Sequence, residues 1–366
     1  MPGIVYVDDK PEEFTGQLPK DVRDRFVNFT FENGEVGREA FEAAKSAHVW
    51  LFDFFLVEQN PAIEDENGLS LFQKWRAAMG DGRPTTVVVS NDLQKALGQD
   101  PGPIARRHVI AQRIGVEWIG DKSRDTVERI LQLEDAANGI AKSSKALEGQ
   151  NSGDLVFDLA SFCLDVLKVP AEASWANSAQ RQVDRARPPR IGSGGGGVVR
   201  VTVGWLLAHV LPYPSFLLTD AEAALRLGVT PASVEKLERN DAGPLGAAVY
   251  KGPLCDFLGR RWWRAGIDRL AFDATGTEAS YEEALAKATG STDWEHLTLT
   301  EPVLLSNADL VETNEVAEAS ECVRVVDEDF PADVEPAWVR INEAKADRQL
   351  AAKVIFEDRD VLRDGA

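Results

Sequence analysis

The chain has 366 residues and a formal net charge of −20; 44% of its residues are apolar and 27% are charged. This length is sufficient for two or three domains that each bury a core. The excess of negative charge argues against a broad surface for nucleic acid or for an anionic membrane, but it leaves room for a local basic patch.

The cysteines and histidines are few and scattered. Three cysteines and four histidines occur, and no two cysteines form a CxxC pair. Such usage argues against a zinc site and against a disulfide framework. The first residues contain no basic and apolar leader, and no apolar run approaches the length of a membrane span. We therefore expect a cytoplasmic protein without a membrane partner.

Short apolar strands alternate with helical stretches in the first part of the chain. Continuous apolar runs are typical of strands buried on both faces of a parallel sheet. The alternation predicts an α/β fold, with a doubly wound five-stranded parallel sheet in residues 1–145. The predicted strands are 4–7, 26–31, 47–52, 85–89 and 116–119, and the predicted helices are 38–46, 69–79, 92–97, 104–114 and 123–142.

Polar side chains follow four of the predicted strands. Asp8 and Asp9 follow the first strand, Asp53 the third, Ser90 the fourth and Lys122 the fifth. The carboxyl ends of parallel strands meet at one edge of the sheet, where ligands bind. Clustered carboxylates suit Mg²⁺, and a hydroxyl and an ammonium can hold the oxygens of a phosphoryl group. The pattern thus indicates a magnesium and phosphoryl site at this edge.

Four stretches of this region resemble the receiver domain of two-component response regulators. They are IVYVDDK, VWLFDFF, TTVVVSND and VEWIGDK, and the resemblance spans about residues 3–145. It implies the flavodoxin-like fold and a phospho-acceptor at Asp53. It also implies that Asp8, Asp9, Asp53 and the Phe55 carbonyl bind Mg²⁺. Ser90 would be the switch hydroxyl that follows the phosphoryl group.

The resemblance further implies that Lys122 pairs with the phosphoryl group, which comes from a sensor histidine kinase or a phosphotransfer protein.

The sequence departs from the family in places. Ser123 follows the lysine where a proline is usual, and an acidic loop at 58–68 follows the acceptor. Phe55 is bulky, and we expect it to shield an aspartyl phosphate from water. A degenerate receiver, which keeps the acids as an interaction scaffold without being phosphorylated, is the alternative.

Residues 146–200 are predicted to be a helical connector and a glycine-rich linker. A helix is expected at 155–167, and the Pro-Pro and glycine run at 186–197 indicates a flexible segment. This glycine run lacks the GxxxxGK[ST] pattern and a preceding strand, so we do not expect it to bind a nucleotide.

Residues 201–366 are predicted to form an α+β output or interaction domain. Its segment 219–239 resembles a bacterial helix-turn-helix. Thr219 or Asp220 can cap a first helix, Gly228 permits the turn, and Pro231 suits the first turn of a second helix. Apolar residues expected in its core are Ala223, Ala224, Leu227, Val229, Val234 and Leu237.

DNA binding by this domain is one possible output. Lys236 lies on the second helix, and Arg260, Arg261 and Arg264 surround a pair of tryptophans. Such a basic and aromatic cluster can contact nucleic acid. However, the second helix has a poor charge balance for a phosphate backbone, and paired tryptophans are typical of cores and interfaces. The sequence therefore favours contact with a protein effector over contact with DNA.

The final region is acidic and shows no motif for catalysis. Strands are expected at 296–305 and 322–326, and a helix at 336–362. The resulting hypothesis is a signalling protein, not itself an enzyme, that is switched by Mg²⁺-dependent phosphorylation of Asp53 and acts through its C-terminal domain on a protein partner. The alternatives are a DNA-binding transcriptional regulator and a Mg²⁺-dependent phosphatase or phosphotransferase.

Overall fold

The computed structural model describes residues 3–32, 36–56, 67–150, 158–189, 197–237, 243–275, 280–289, 293–332 and 334–363. The chain divides into two compact units, each made of two chain segments. Unit 1 contains Met1–Val166 and Pro188–Ala208, and unit 2 contains Leu167–Arg187 and His209–Ala366. The predicted domain division at residues 145 and 200 stays a prediction, because compact units need not be domains that fold independently.

The strands of the described residues lie in three sheets. They are β1 Ile4–Asp8, β2 Phe26–Thr30, β3 Val49–Asp53, β4 Thr85–Ser90, β5 Trp118–Asp121, β6 Leu217–Leu218, β7 Trp262–Trp263, β8 Pro302–Ser306, β9 Glu312–Glu318, β10 Cys322–Val325 and β11 Ala337–Arg340. The first five form one sheet in the order β2-β1-β3-β4-β5, and all of its pairings are parallel. This is the doubly wound order of flavodoxin-like folds, as predicted.

The α-helices are α1 Pro11–Thr15, α2 Lys20–Arg23, α3 Arg38–Ala44, α4 Gly68–Met79, α5 Leu93–Leu97, α6 Arg107–Ile114, α7 Arg124–Gln150, α8 Leu159–Ser161, α9 Ala176–Arg185, α10 Val198–Trp205, α11 Asp220–Arg226, α12 Pro231–Glu235, α13 Gly243–Ala248, α14 Arg264–Thr275, α15 Tyr281–Thr289, α16 Ile341–Ala346, α17 Arg348–Lys353 and α18 Arg359–Arg363. Among the described residues, no helix is long and apolar enough to cross a membrane.

The core of unit 1 surrounds its parallel sheet. Every residue of β1, β3 and β4 is buried, as expected for strands covered by helices on both faces. An aromatic group fastens α4 to β3: the ring of Trp75 meets Trp50 and Phe52 edge-on, with centroids 5.5 and 5.4 Å apart. This packing holds α4 against the sheet.

The five predicted helices of unit 1 are present, and α1 and α2 are two that the sequence analysis missed. Both are short, which leaves too few residues for an apolar period to show. The predicted helix at 104–114 begins as a 3₁₀ turn at Ile104–Arg106 and continues as α6.

Several predicted segments lie partly or wholly outside the described residues. They are the start of the predicted helix at 155–167, most of the acidic loop at 58–68, most of the glycine run at 186–197, and the end of the helix-turn-helix segment.

The helix-turn-helix-like segment of unit 2 begins as predicted. Thr219 caps α11 in a capping box with Glu222, Gly228 adopts a left-handed φ of 64°, and Pro231 occupies the first turn of α12. The second helix, α12, spans five residues. The backbone N–H of Thr230 donates to the Glu295 carbonyl at 2.8 Å, so a later segment lies against the start of this helix.

The C-terminal region differs from its prediction in three ways. Residues 337–340, predicted as the start of a long helix, form β11 instead, which pairs antiparallel with β10 and parallel with β8. The helical part that follows is divided into α16, α17 and α18. The sequence analysis also missed β9, whose composition is mostly polar; it completes a mixed sheet of order β10-β11-β8-β9. An α+β C-terminal region is confirmed.

Gly68, the first residue of α4, is a point where unit 1 tolerates no side chain. A Cβ at this position would lie 1.9 Å from the Asp53 carbonyl oxygen, so Gly68→Ala must push α4 away from β3. We expect a loss of about 1–3 kcal/mol in the free energy of unfolding, measured by urea denaturation.

Gly139→Ala in α7 is the matched control. A Cβ there meets nothing within 4 Å. Because alanine favours helix over glycine, this variant should be unchanged or more stable by up to about 1 kcal/mol. Equal stability of the two variants would contradict the close approach of Gly68 to β3.

Candidate functional site

Three carboxylates meet at the carboxyl edge of the parallel sheet. Val7 of β1 pairs with Phe52 of β3, so Asp8 and Asp53 end adjacent strands at the same level. Asp9 follows directly, and each of the three acids offers an oxygen that lies within 4.8 Å of the other two. The two strands lie where the order of the sheet reverses, which is where the connections diverge and leave a crevice.

Lys122 places its ammonium between two of these acids. Its Nζ lies 2.8 Å from Asp8 Oδ2 and 3.3 Å from Asp53 Oδ1, and its side chain is 10% exposed. The register explains this position, because Asp121 at the end of β5 pairs with Ser90 of β4 and Lys122 follows at the edge. One buried cation thus offsets part of the charge of the cluster.

Asp8 is held in its ionised form by a set of donors. The Tyr6 hydroxyl donates to Asp8 Oδ2, and the backbone N–H of Lys10 donates to Oδ1 at 3.1 Å. Burial alone would raise the pKa of Asp8, but contacts with Asp9, Lys122 and Tyr6 lower it below its ordinary value. Burial and the charge of Asp8 raise the pKa of Tyr6, which therefore remains a donor.

Sequence reasoning missed Tyr6. The signal was present, because residues two apart in a strand face the same side of the sheet and Tyr6 precedes Asp8 by two.

Asp53 is the acid whose charge is least compensated. Burial raises its pKa to about 7, and the charges of Asp8 and Asp9 add to this effect while Lys122 opposes it. Its buried Oδ1 atom lies 3.3 Å from the Lys122 ammonium and, within the described part of the chain, no other donor engages it. A carboxylate oxygen so weakly engaged, beside two further carboxylates, suits a hard divalent cation. The donor set therefore fits Mg²⁺.

The cluster opens into a cavity of about 500 Å³. The aromatic ring of Phe55 lies on its wall, 5.0 Å from the ring of Phe54 and 5.5 Å from the ammonium of Lys95. The cavity is lined by Asp8, Asp9, Lys10, Glu13, Phe14, Gln17, Asp53, Phe55, Asn91, Asp92, Lys95 and Lys122. A phosphoryl group has room to approach Asp53 from this side.

Ser90 does not line this cavity. Its side chain is buried, and its Oγ accepts a hydrogen bond from the backbone N–H of Asp92 at 3.2 Å. Asn91 and Asp92, which follow Ser90, line the cavity instead. The structure thus brings Asp8, Asp9, Asp53 and Lys122 together, and it holds the Ser90 hydroxyl in the turn after β4.

The arginines predicted as contacts for nucleic acid or a partner have partners inside unit 2. Arg260 Nε donates to Asp220 Oδ1 at 2.7 Å, and its terminal nitrogens donate to the carbonyls of Val234 and Leu237. Arg261 is 7% exposed and donates to the carbonyl of Leu211. Both side chains therefore fasten loops and α12 within unit 2.

Arg264 and Lys236 are the other two residues of that predicted surface. Arg264 forms an ion pair with Glu335 at 3.3 Å, and Lys236 is exposed at the end of α12. These positions do not form a continuous basic face, because Arg260 and Arg261 are engaged inside the unit.

A comparison of the chain with protein-family models, with curated proteins and with solved structures found no match in any of the three. The sheet order and the acidic cluster are both consistent with a receiver-like fold.

The raised pKa of Asp53 makes the stability of the protein depend on pH. Between about pH 4 and pH 7 the folded state keeps the proton that the unfolded state, with an ordinary pKa of 3.8, has released. This group therefore stabilises the fold at low pH, and the contribution is lost as the pH rises through 7. The rise in the pKa of Asp53 from 3.8 to about 7 corresponds to roughly 4 kcal/mol in the free energy of unfolding.

Asp53→Asn should remove that dependence. Relative to the original chain, the variant should gain up to roughly 4 kcal/mol in the free energy of unfolding between pH 4 and pH 8. Urea denaturation in EDTA across this range measures the difference. Asp24→Asn, which removes an exposed carboxylate outside the cluster, should leave the pH profile unchanged. Parallel profiles for Asp53→Asn and the original chain would contradict the raised pKa.

Proposed function

We propose that the chain is a receiver-type signalling protein that accepts a phosphoryl group on Asp53 in a Mg²⁺-dependent reaction. The observation that carries this proposal is the group of Asp8, Asp9 and Asp53, with Lys122 beside it, at the carboxyl edge of a sheet of order β2-β1-β3-β4-β5. A solvated set of acids would not need a buried lysine 2.8 Å from one of its oxygens.

Asp8, Asp9 and Asp53 would hold the metal, together with the Phe55 carbonyl that the resemblance implies. Bound there, Mg²⁺ would supply positive charge to offset that of the carboxylates and of the incoming phosphate. Asp8 suits this role because its lowered pKa keeps it ionised at neutral pH.

Asp53 is the nucleophile in this proposal. One of its carboxylate oxygens forms a bond to phosphorus, and the bond from phosphorus to the donor atom breaks. The electron pair of the broken bond leaves with the donor, a histidine nitrogen or an acetate oxygen. Lys122 is within ion-pairing distance of Asp53 and can pair with the oxygens of the transferred group.

The Ser90 hydroxyl bonds within its own turn, so it must rotate to reach the phosphate. Such a local rearrangement can bias the packing of the adjacent face and pass on the signal. In this proposal the partner on the donor side is a sensor histidine kinase or a phosphotransfer protein.

On the output side we propose that unit 2 acts on an effector protein. The internal contacts of Arg260 and Arg261 support a structural role for these residues and give no support to DNA binding. In this proposal the chain has no catalytic output of its own beyond accepting and losing the phosphoryl group.

Incubation with acetyl phosphate and Mg²⁺, followed by intact mass spectrometry, tests the acceptor. We expect one phosphoryl adduct per chain, absent in EDTA and absent in Asp53→Asn. Asp92→Asn is the matched control, because Asp92 lines the same cavity and asparagine keeps its helix-capping bond to the Lys95 backbone. This control should label like the original chain.

Other outcomes identify the rival functions. Continuous turnover of acetyl phosphate that depends on Asp53, without a stoichiometric adduct, would indicate a phosphatase or phosphotransferase. Absence of any adduct, with acetyl phosphate and with a kinase partner, would indicate a degenerate receiver that serves as a scaffold.

Phe55 should determine how long the phosphoryl group stays on Asp53. Its ring lies on the cavity wall and limits the approach of water. We expect Phe55→Asn to lose the group faster, on the order of tenfold for a barrier lowered by about 1.4 kcal/mol. Phe55→Leu keeps an apolar cover and should stay slow. Following the loss of the adduct over time measures this, and equal rates for both variants would exclude shielding by the ring.

A further inference from the structure

A buried ion pair lies at the opposite edge of the parallel sheet, before β4 and β5. Arg83 and Glu117 are 4% and 8% exposed. The two terminal nitrogens of Arg83 each donate to one oxygen of Glu117, both at 2.9 Å. The same nitrogens also donate to the Thr86 hydroxyl at 2.7 Å and to the Gly115 carbonyl at 2.9 Å. Arg83 is therefore held in one position. Because its N–H groups already donate to these partners, it would act on a ligand in the cavity mainly through its positive charge.

Two further arginines converge on this pair. Arg200 of α10 lies 3.4 Å from Glu117 Oε1 and keeps 20% of its side chain exposed. Arg76 of α4 is exposed, and the described side chains offer it no carboxylate within ion-pairing distance. Burial, and then the charges of Arg200 and Arg76, lower the pKa of Arg83. Among the described side chains, Glu117 pairs with Arg83 and Arg200, and Arg76 adds a third guanidinium group to the same cavity.

These arginines line a cavity of about 290 Å³, together with Gln73, Ala77 and Gly80. Among the residues that the structure describes, its lining contains cations and an amide but no acid. Such a concentration of positive charge is notable in a chain whose net charge is −20. Arg76 and Arg200 are exposed enough to donate to a ligand. The fixed charge of Arg83 makes the electrostatic potential inside the cavity more positive. Guanidinium groups match phosphate oxygens with paired hydrogen bonds.

We propose that this cavity, which we call the arginine cavity, binds the phosphoryl group of a small phosphorylated anion. Arg76 and Arg200 donate to its oxygens, and Gln73 supplies a further N–H donor. The proposal is independent of Asp53, because Arg83 and Glu117 precede β4 and β5, whereas the acidic cluster lies at the opposite edge of the sheet, after β1 and β3. The anion joins α4 and α10, so its binding should also raise the thermal stability of unit 1.

Calorimetric titration in EDTA tests the site with three probes: inorganic phosphate, pyrophosphate and ADP. EDTA removes the divalent ions that an acidic cluster needs to hold phosphate. We expect binding that weakens at least about tenfold in Arg76→Gln and in Arg200→Gln, since each loses a charge-assisted contact of at least about 1.4 kcal/mol. Asp53→Ala and Arg124→Gln, whose arginine side chain is 91% exposed and outside the cavity, should bind like the original chain.

The probes distinguish the source of the phosphoryl group. Binding of phosphate or pyrophosphate that depends on Arg76 would support recognition of the phosphoryl group itself. Binding of ADP alone, with the same dependence, would support the site and assign it to a nucleotide. Among the described residues the Arg76 side chain makes no hydrogen bond or ion pair, so its variant should fold and decides the question. No binding of any probe at millimolar concentration, or equal affinity in Arg76→Gln, would overturn the proposal.

Discussion

Repulsion among three carboxylates is the constraint on which the carboxyl edge of the sheet depends. The parallel register of β1 and β3 brings Asp8 and Asp53 to the same level, although their negative charges repel each other. Lys122 and the donors around Asp8 stabilise the ionised form of that acid. The negative charge of Asp53 is less well compensated, so Asp53 keeps a high affinity for a proton. A cation bound at this cluster would offset the electrostatic cost of bringing the three acids together.

The parallel sheet and the positions of the acids were predictable because the information is local, whereas the order of the strands was implied by the resemblance to receiver domains. Each buried strand is a continuous apolar run, and each run ends on a polar residue, as at Asp8, Asp53 and Ser90. Rules on parallel connections then bring those ends to one edge. Tyr6 was missed because a tyrosine within an apolar strand looks like core until its hydroxyl is seen to reach Asp8.

Other features depend on contacts between distant residues, which a single sequence does not reveal. Arg83 and Glu117 are 34 residues apart in the sequence, and no motif around either residue predicts that they pair. In unit 2, the strand β9 carries mostly polar residues because it lies at a sheet edge, so it shows little of a strand's apolar signal. Residues 337–340 form a strand because β8 and β10 pair with them, although the helix-favouring residues that follow suggested otherwise.

The way the chain is shared between the two units has a consequence for how such a protein can change over generations. Unit 1 takes its last helix, α10, from a segment that follows Leu167–Arg187, which belongs to unit 2. A recombination event with a single crossover exchanges contiguous sequence, so it cannot transfer either unit intact. A unit 1 that ended at Val166 would lack α10 and its residue Arg200. We therefore expect the two units to be inherited together and to be rarely found as separate modules.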